Sequence, residues 1–331
     1  MKKAKSIFTL LIAIVLMCNF LTAFAGCGTP KERVLIYTSS EDFKIEYMTQ
    51  RLNEEFPEYD IVIEYIATGN HAAKLLAEGT STDCDITHDL EYAYLSQLES
   101  EDILADLSSY DMSNYVDDVK SSDNYIVELR NSGAIIVNTD VLRQRGLAEP
   151  TSYQDLLKSE YKNLISMPNP KASGTGYMFL KSLVNAWGEK KAFEYFDFLT
   201  ENVLSYTSSG SGPVKALIQG EVAVGLGMTA QAVTEINNGA PLKILYFEEG
   251  APYTLYGQSI IKGKETREAV KRVFDFLINE YNYENNEKFF PEKIFKDKDY
   301  SVTNYPANIK YADMSNSTIE EKNKLLDKWK Y

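Results

Sequence analysis

The sequence predicts an α/β protein of two domains, each built on a mainly parallel sheet. Three observations carry this. Short apolar runs alternate with longer amphipathic ones, the pattern of parallel α/β units. Removing a 26-residue leader from 331 residues leaves 305, enough for two ordinary domains. The body retains one cysteine, so no internal disulfide forms and a core must hold it; 44% of residues are hydrophobic and 12% aromatic.

The leader comes first. Lys2, Lys3 and Lys5 precede an apolar run from Ile7 to Met17, broken only by Thr9. Ala23, Ala25 and Gly26 then lead into Cys27. That layout is a secretory signal, residues 1–26, removed on export. A cysteine directly after small residues looks like a lipobox, with Cys27 taking a diacylglycerol thioether and residues 27–33 forming a tether. Phe24 departs from the usual Leu of such boxes. An uncleaved membrane anchor is the alternative, although the run is near the lower limit for a span. Either way the body is expected outside the cytoplasm, anchored to the cell membrane.

Strands are expected at Val34–Tyr37, Ile61–Ala67, Asp85–Asp89, Ala134–Asn138, Leu164–Met167, Val203–Tyr206, Val222–Gly227, Lys243–Phe247 and Ser259–Lys262. In Phe43–Phe56, Ile45, Met48, Leu52 and Phe56 recur at helical steps. Ser173–Trp187, Lys191–Thr200, Pro213–Gln219, Thr229–Asn237 and Thr266–Glu280 read as helices too. The tail after Lys288 reads as loops ending in a helix near Thr318–Trp329.

Charge narrows the partners. The leader takes away three lysines and no acid, so the formal charge moves from −14 to −17. Such a surface repels nucleic acid and keeps a protein soluble; a monomer is expected. Cys18 leaves with the leader and Cys27 is lipidated, so Cys84 alone remains.

Candidate binding residues lie where strands end. Thr38, Ser39 and Ser40 follow the first strand. Thr68, Gly69, Asn70 and His71 follow the second. Ser173, Gly174 and Thr175 sit in a Gly-rich turn, and Ser209 and Ser211 in another. Ligands of open α/β sheets bind at the carboxyl ends of strands. A helix start adds free N–H donors and partial positive charge, and hydroxyls add more donors. Such turns suit a phosphate, phosphonate or carboxylate. The competing reading of each turn is an ordinary N-cap. Asp89 and Glu91 offer carboxylates for a ligand ammonium, or are solvent-facing acids. Tyr253 and Tyr256 offer aromatic walls or tyrosinate ligands, or are packed at a domain interface.

Catalytic inventory is poor. There is no GxSxG elbow and no GxxxxGK loop, and His71 and His88 are the two imidazoles. Cys84, His88 and His71 raise a metal site, but Cys84 reads more simply as a small packed residue. No catalytic residue, cofactor or metal is expected.

From about Val34 to Lys262 the chain resembles the ferric, thiamine and phosphonate branch of the type II periplasmic binding proteins. The resemblance rests on VLIYTSS, SGAIIVNTDVL, PTSYQDLLKSEYKNLISMPNPKASGTGY, YFDFLTENVLSYTSSGSGPVKALIQGEVAVGLGM and INNGAPLKILYFEEGAPYTLYGQSIIKG, in that order. It implies two lobes, 31–131 plus 252–282 and 132–251 plus 283–331. Two crossing strands, Ser132–Val137 and Leu255–Ile261, would form the hinge. It also implies a permease and an ATPase of an ABC importer as partners. Ferric-binding relatives carry a Tyr pair where this chain has Met228, Thr229 and Ala230, which argues against that iron site. Thr229 is kept as a ligand candidate. An aminoalkylphosphonate or phosphate ester is the leading ligand. The alternatives are thiamine, ferric ion held by His71, Glu91 and Tyr253 or Tyr256, a sensory or adhesive role, and a surface phosphoesterase.

Overall fold

The computed structural model describes residues 31–331 apart from 118 and 120. The expected leader, Cys27 and most of the tether lie outside the described residues.

The first body begins with β1 (Arg33–Thr38), α1 (Asp42–Glu55), β2 (Asp60–Tyr65), α2 (Thr68–Glu78), β3 (Ile86–Glu91) and α3 (Tyr92–Ser100). β1 pairs in parallel with β2 and β3. The long strand β4 (Ile126–Asn138) then passes into the second body. There follow α4 (Thr139–Arg145), β5 (Ile165–Pro168), α5 (Gly174–Trp187), α6 (Glu189–Leu199) and β6 (Val203–Thr207). Next come α7 (Gly212–Ile218), β7 (Val224–Met228), α8 (Thr229–Asn237) and β8 (Leu242–Leu245). β5 pairs in parallel with β6 and β7. The return strand β9 (Tyr253–Ile260) re-enters the first body. It is followed by α9 (Glu268–Phe276), α10 (Asn282–Phe289) and α11 (Ile319–Lys328).

The wings are parallel, as expected of α/β units. The centre is not. β9 runs antiparallel to β3 and to the first half of β4. The second half of β4 runs antiparallel to β7 and β8. The sheet order is therefore β2-β1-β3-β9-β4-β7-β5-β6, with β8 also on β4. One strand serves both sheets because every residue of β4 is buried.

The first body packs Val34, Ile36, Met48, Leu52 and Phe274 into a core; the second packs Ile135, Val137, Met167, Phe179 and Phe196. Burying each such side chain contributes about 1.5–3 kcal/mol. The tail divides between them. Ile294 and Phe295 join the first core, whereas Leu325 and Trp329 of the last segment join the second.

Two strand boundaries and one helix face depart from expectation for physical reasons. β4 starts at Ile126 rather than Ala134, because it carries Glu128 and Arg130 inside, and charges mask a strand pattern. β9 spans Tyr253–Ile260 rather than Ser259–Lys262, because both its faces are buried and alternation is lost. α1 buries Lys44 with Met48 and Leu52, so its inward stripe includes a lysine in place of Ile45. Among the described residues no helix is long and apolar enough to cross a membrane.

Candidate functional site

Four turns meet between the bodies. From the first body come the turns after β1 and β2; from the second, those after β5 and β6. Ser39, Ser40, Glu41, Tyr65, Ser209 and Ser211 line a cavity of about 80 Å³, with Asp42 and Lys215 beside them. A smaller space of about 20 Å³ adjoins it, reached by Thr68, Ser173, Gly174, Thr175 and Tyr256.

None of these helices is capped by a side chain. The residues preceding α1, α2, α5 and α7 are Glu41, Ala67, Ser173 and Ser211, and no side chain of theirs accepts a bond from the first turn. By contrast Asn138 caps α4 and Thr318 caps α11. The N-cap reading therefore fails for Ser173 and Ser211. Thr68 Oγ1 is buried beside the cleft with no hydrogen-bond partner. An unpaired buried hydroxyl costs free energy, and a ligand oxygen would supply the missing bond.

Glycines let the bodies close. A Cβ on Gly174 would stand 2.7 Å from the Tyr256 hydroxyl, and one on Gly69 would stand 2.8 Å from the Lys171 carbonyl oxygen. Each contact joins one body to the other. Lys215 of α7 bridges to Asp42 of α1 at 2.6 Å.

A buried charged layer supports the first-body side. Lys44 pairs with Asp89 and, at 2.8 Å, with Glu41. Burial pulls its ammonium down, but the two carboxylates outweigh this and hold it above the usual lysine range. Ser40 Oγ donates to Asp89 at 2.5 Å. Asp89 has φ +51°, a left-handed conformation that Asp tolerates, where the β3–β9 register shifts. Burial alone would raise its carboxyl; Lys44 and His88 hold it below the usual range.

The two imidazoles are framework. His71 Nδ1 meets Ser39 Oγ and its Nε2 meets Thr87 Oγ1, both at 3.0 Å. His88 Nδ1 meets Thr38 Oγ1 at 3.0 Å, and its Nε2 lies 3.2 Å from Glu128. Burial pushes the rings down to about 3 and about 4, so both are neutral at pH 7. Burial, with Asp89 nearby, raises Glu128 well above the carboxylate range.

The structure thus gathers Ser39, Ser40, Ser173, Gly174, Thr175, Ser209, Ser211 and Tyr256 at the cleft. Thr38, His71 and Asp89 lie behind them, bonded within the protein. Asn70 is exposed on α2. Glu91 is not open to a ligand: it is paired with Lys322 of α11. Thr229 Oγ1 accepts from Ser132 Oγ and shares a hydrogen bond with the Tyr246 hydroxyl, and the Tyr253 ring lies 5.3 Å from the Arg130 guanidinium; both belong to the crossing region. His71, Glu91 and Tyr253 are each committed elsewhere, so the alternative ferric set is not assembled. Cys84 is buried and donates to the Ile86 carbonyl. Among the described residues no group of three His, Cys, Asp or Glu is placed to hold a metal ion.

Sequence reasoning missed Glu41, Tyr65 and Lys215 as lining residues, and Lys44 beneath them. Lys44 carried a usable signal: it stands four residues before Met48 and eight before Leu52, on an apolar stripe. Thr68 lay in a turn already singled out.

Comparisons agree with this architecture. A 28% identical Haemophilus influenzae protein, itself uncharacterized, matches over 270 residues, 79% of this chain and 77% of its own length. A Salmonella typhi protein, provisionally named as a 2-aminoethylphosphonate-binding periplasmic protein, is 23% identical over 66% of this chain and 65% of its own. The periplasmic binding protein AfuA from Actinobacillus pleuropneumoniae, solved with fructose-6-phosphate, superposes with a TM-score of 0.78 at 26% identity, covering 90% of this chain and 98% of that one. The periplasmic binding protein P5PA gives 0.77 at 25% identity over the same shares. The fold is that of the type II periplasmic binding proteins. Residues 37–283 match the family model for bacterial extracellular solute-binding proteins, and this chain belongs to that family.

Proposed function

We propose that the protein captures a small organic solute with a phosphonate or phosphate head group, an aminoalkylphosphonate or a phosphate ester, between its two bodies. It then delivers the solute to a membrane permease driven by a cytoplasmic ATPase, acting as a monomer held to the cell membrane through Cys27. The carrying observation is the convergence of three uncapped helix starts, α1, α2 and α5, with the Ser209–Ser211 turn on one closed cleft. Each start presents unpaired N–H groups and about half a positive charge. Thr68 adds an unpartnered hydroxyl. Among the described residues lining these two cavities Lys215 is the one cation, so backbone donors rather than arginines would hold the head group.

Size supports a small ligand. A water occupies roughly 30 Å³ of liquid, so the larger cavity of about 80 Å³ closes around a few heavy atoms. The phosphonate in the Salmonella relative's name and the phosphate ester bound to AfuA share this head-group chemistry. Release follows from rotation of the bodies about β4 and β9, a hinge of the ordinary kind.

The test is a thermal-shift screen of residues 28–331 against 2-aminoethylphosphonate, phosphate esters, sugar phosphates, thiamine and ferric citrate. A ligand at a thousand times its Kd stabilises by about 4 kcal/mol. A shift with phosphonates or phosphate esters supports the reading. A shift with thiamine or ferric ion alone overturns it.

A further inference from the structure

Behind the cleft-lining residues two buried amide acceptors lack donors. Gln231 is 4% exposed and Asn131 2%. Gln231 Nε2 donates to the Ser211 carbonyl, which fixes the amide and leaves Oε1 facing away from it without a partner. Asn131 Nδ2 contacts Met228 Sδ at 3.1 Å, and its Oδ1 is likewise unpartnered.

Neither amide lines these cavities, but each touches a residue that lines one or packs against one that does. Ser211 lines the larger one. The Met228 methyl stands 3.3 Å from a Cβ position on Gly210, which lines both. Asn131 shares a strand face with Leu129, and Leu129 packs with Ala230 and the cleft residue Tyr256. Glu41 lines both cavities from the opposite body. Lys44 faces its Oε2, and a carboxylate accepts at two oxygens.

Two unpaired amide oxygens and a carboxylate, drawn from β4, α8 and the start of α1, ask for a donor with several N–H groups. We infer that Glu41, Asn131 and Gln231 form a subsite for a primary ammonium on the ligand. This rests on the head-group reading above and adds the other end of the molecule. It also relocates the ammonium partner: Asp89 is bonded to both Lys44 and Ser40 behind the cleft and Glu91 is paired with Lys322, whereas Glu41, although it shares Lys44 with Asp89, lines both cavities.

Calorimetry with two ligand pairs tests it, 2-aminoethylphosphonate against ethylphosphonate and β-alanine against propionate. Within a pair only the amine differs. One charge-assisted hydrogen bond is worth roughly tenfold or more, so the aminated member of any pair that binds should be at least about tenfold tighter. Gln231→Met removes an acceptor and should shrink that gap to about threefold; any effect through the Ser211 turn falls on both members of a pair and cancels in the gap. Glu41→Gln reads the same gap if Gln231→Met does not fold. If both phosphonates fail and β-alanine still outbinds propionate, the head-group reading falls and the subsite stands. Equal affinity within every pair, binding by none of the four, or a gap that survives both variants overturns the subsite.

Discussion

Lys322→Met tests how the C-terminal helix ties the bodies together. Lys322 and Glu91 have 1% and 2% side-chain exposure and are paired. The ammonium also lies 3.9 Å from the Tyr94 ring centroid and 4.5 Å from that of Tyr177. Glu91 and Tyr94 belong to the first body; Tyr177 and the Leu325 and Trp329 anchors of α11 belong to the second. Methionine fills most of the stem, so the change removes charge more than volume. It strands the Glu91 carboxylate in the interior. Breaking a buried pair from one side costs about 3–5 kcal/mol, and burial leaves little of that to solvent screening. Replacing both partners by apolar groups is often neutral or better. Urea unfolding of Lys322→Met should therefore lose about 4 kcal/mol, and Lys322→Met with Glu91→Leu should recover most of it. A single-variant loss below about 1 kcal/mol, or a double variant worse than the single, refutes the reasoning.

Other consequences follow from the cleft and its support. Thr68→Val should weaken ligand binding roughly tenfold by calorimetry and leave the unliganded unfolding midpoint no lower than wild type, because it removes a buried hydroxyl with no partner in the protein. Gly174→Ala places a Cβ 2.7 Å from the Tyr256 hydroxyl, so it should block closure and binding; adding Tyr256→Phe should restore part of the affinity. His71 and His88 should show NMR titration midpoints near about 3 and about 4, and midpoints near the ordinary value of about 6.5 would contradict their burial. The unfolded chain binds protons at these rings below pH 6.5 and the folded chain does not. Their contribution to stability is thus whole above pH 6.5 and falls by about 1.4 kcal/mol per ring per pH unit toward pH 4 and 3. Glu128, raised by burial, acts in the opposite sense.

Strand and helix alternation was legible because most elements expose one face and bury another. α8 was expected at Thr229–Asn237 and forms there. β4 and β9 read short because crossing strands are buried on both sides, and β4 also carries Glu128 and Arg130 inside. The Ser and Thr turns were legible as strand ends, but not as uncapped; that depends on where each hydroxyl points. Asp89 and Glu91 looked like ligand carboxylates because their lysine partners lie 45 and 231 residues away in sequence. Lys322 in particular reaches Glu91 from a tail that gave no strand or core signal. Gln231 and Asn131 had no signal at all: an amide becomes informative only when one end is pinned and the other left unpaired.

The central claim is that hydroxyl-bearing turns from both strand ends hold an anionic head group. Calorimetric titration of wild type and of Ser173→Ala with Ser211→Ala, using 2-aminoethylphosphonate and a simple phosphate ester, tests it most directly. Hydrogen bonds to a charged group are worth about 1.5–3 kcal/mol each, so the double variant should lose at least about tenfold in affinity with its unliganded melting intact. Unchanged affinity in the double variant would contradict the account.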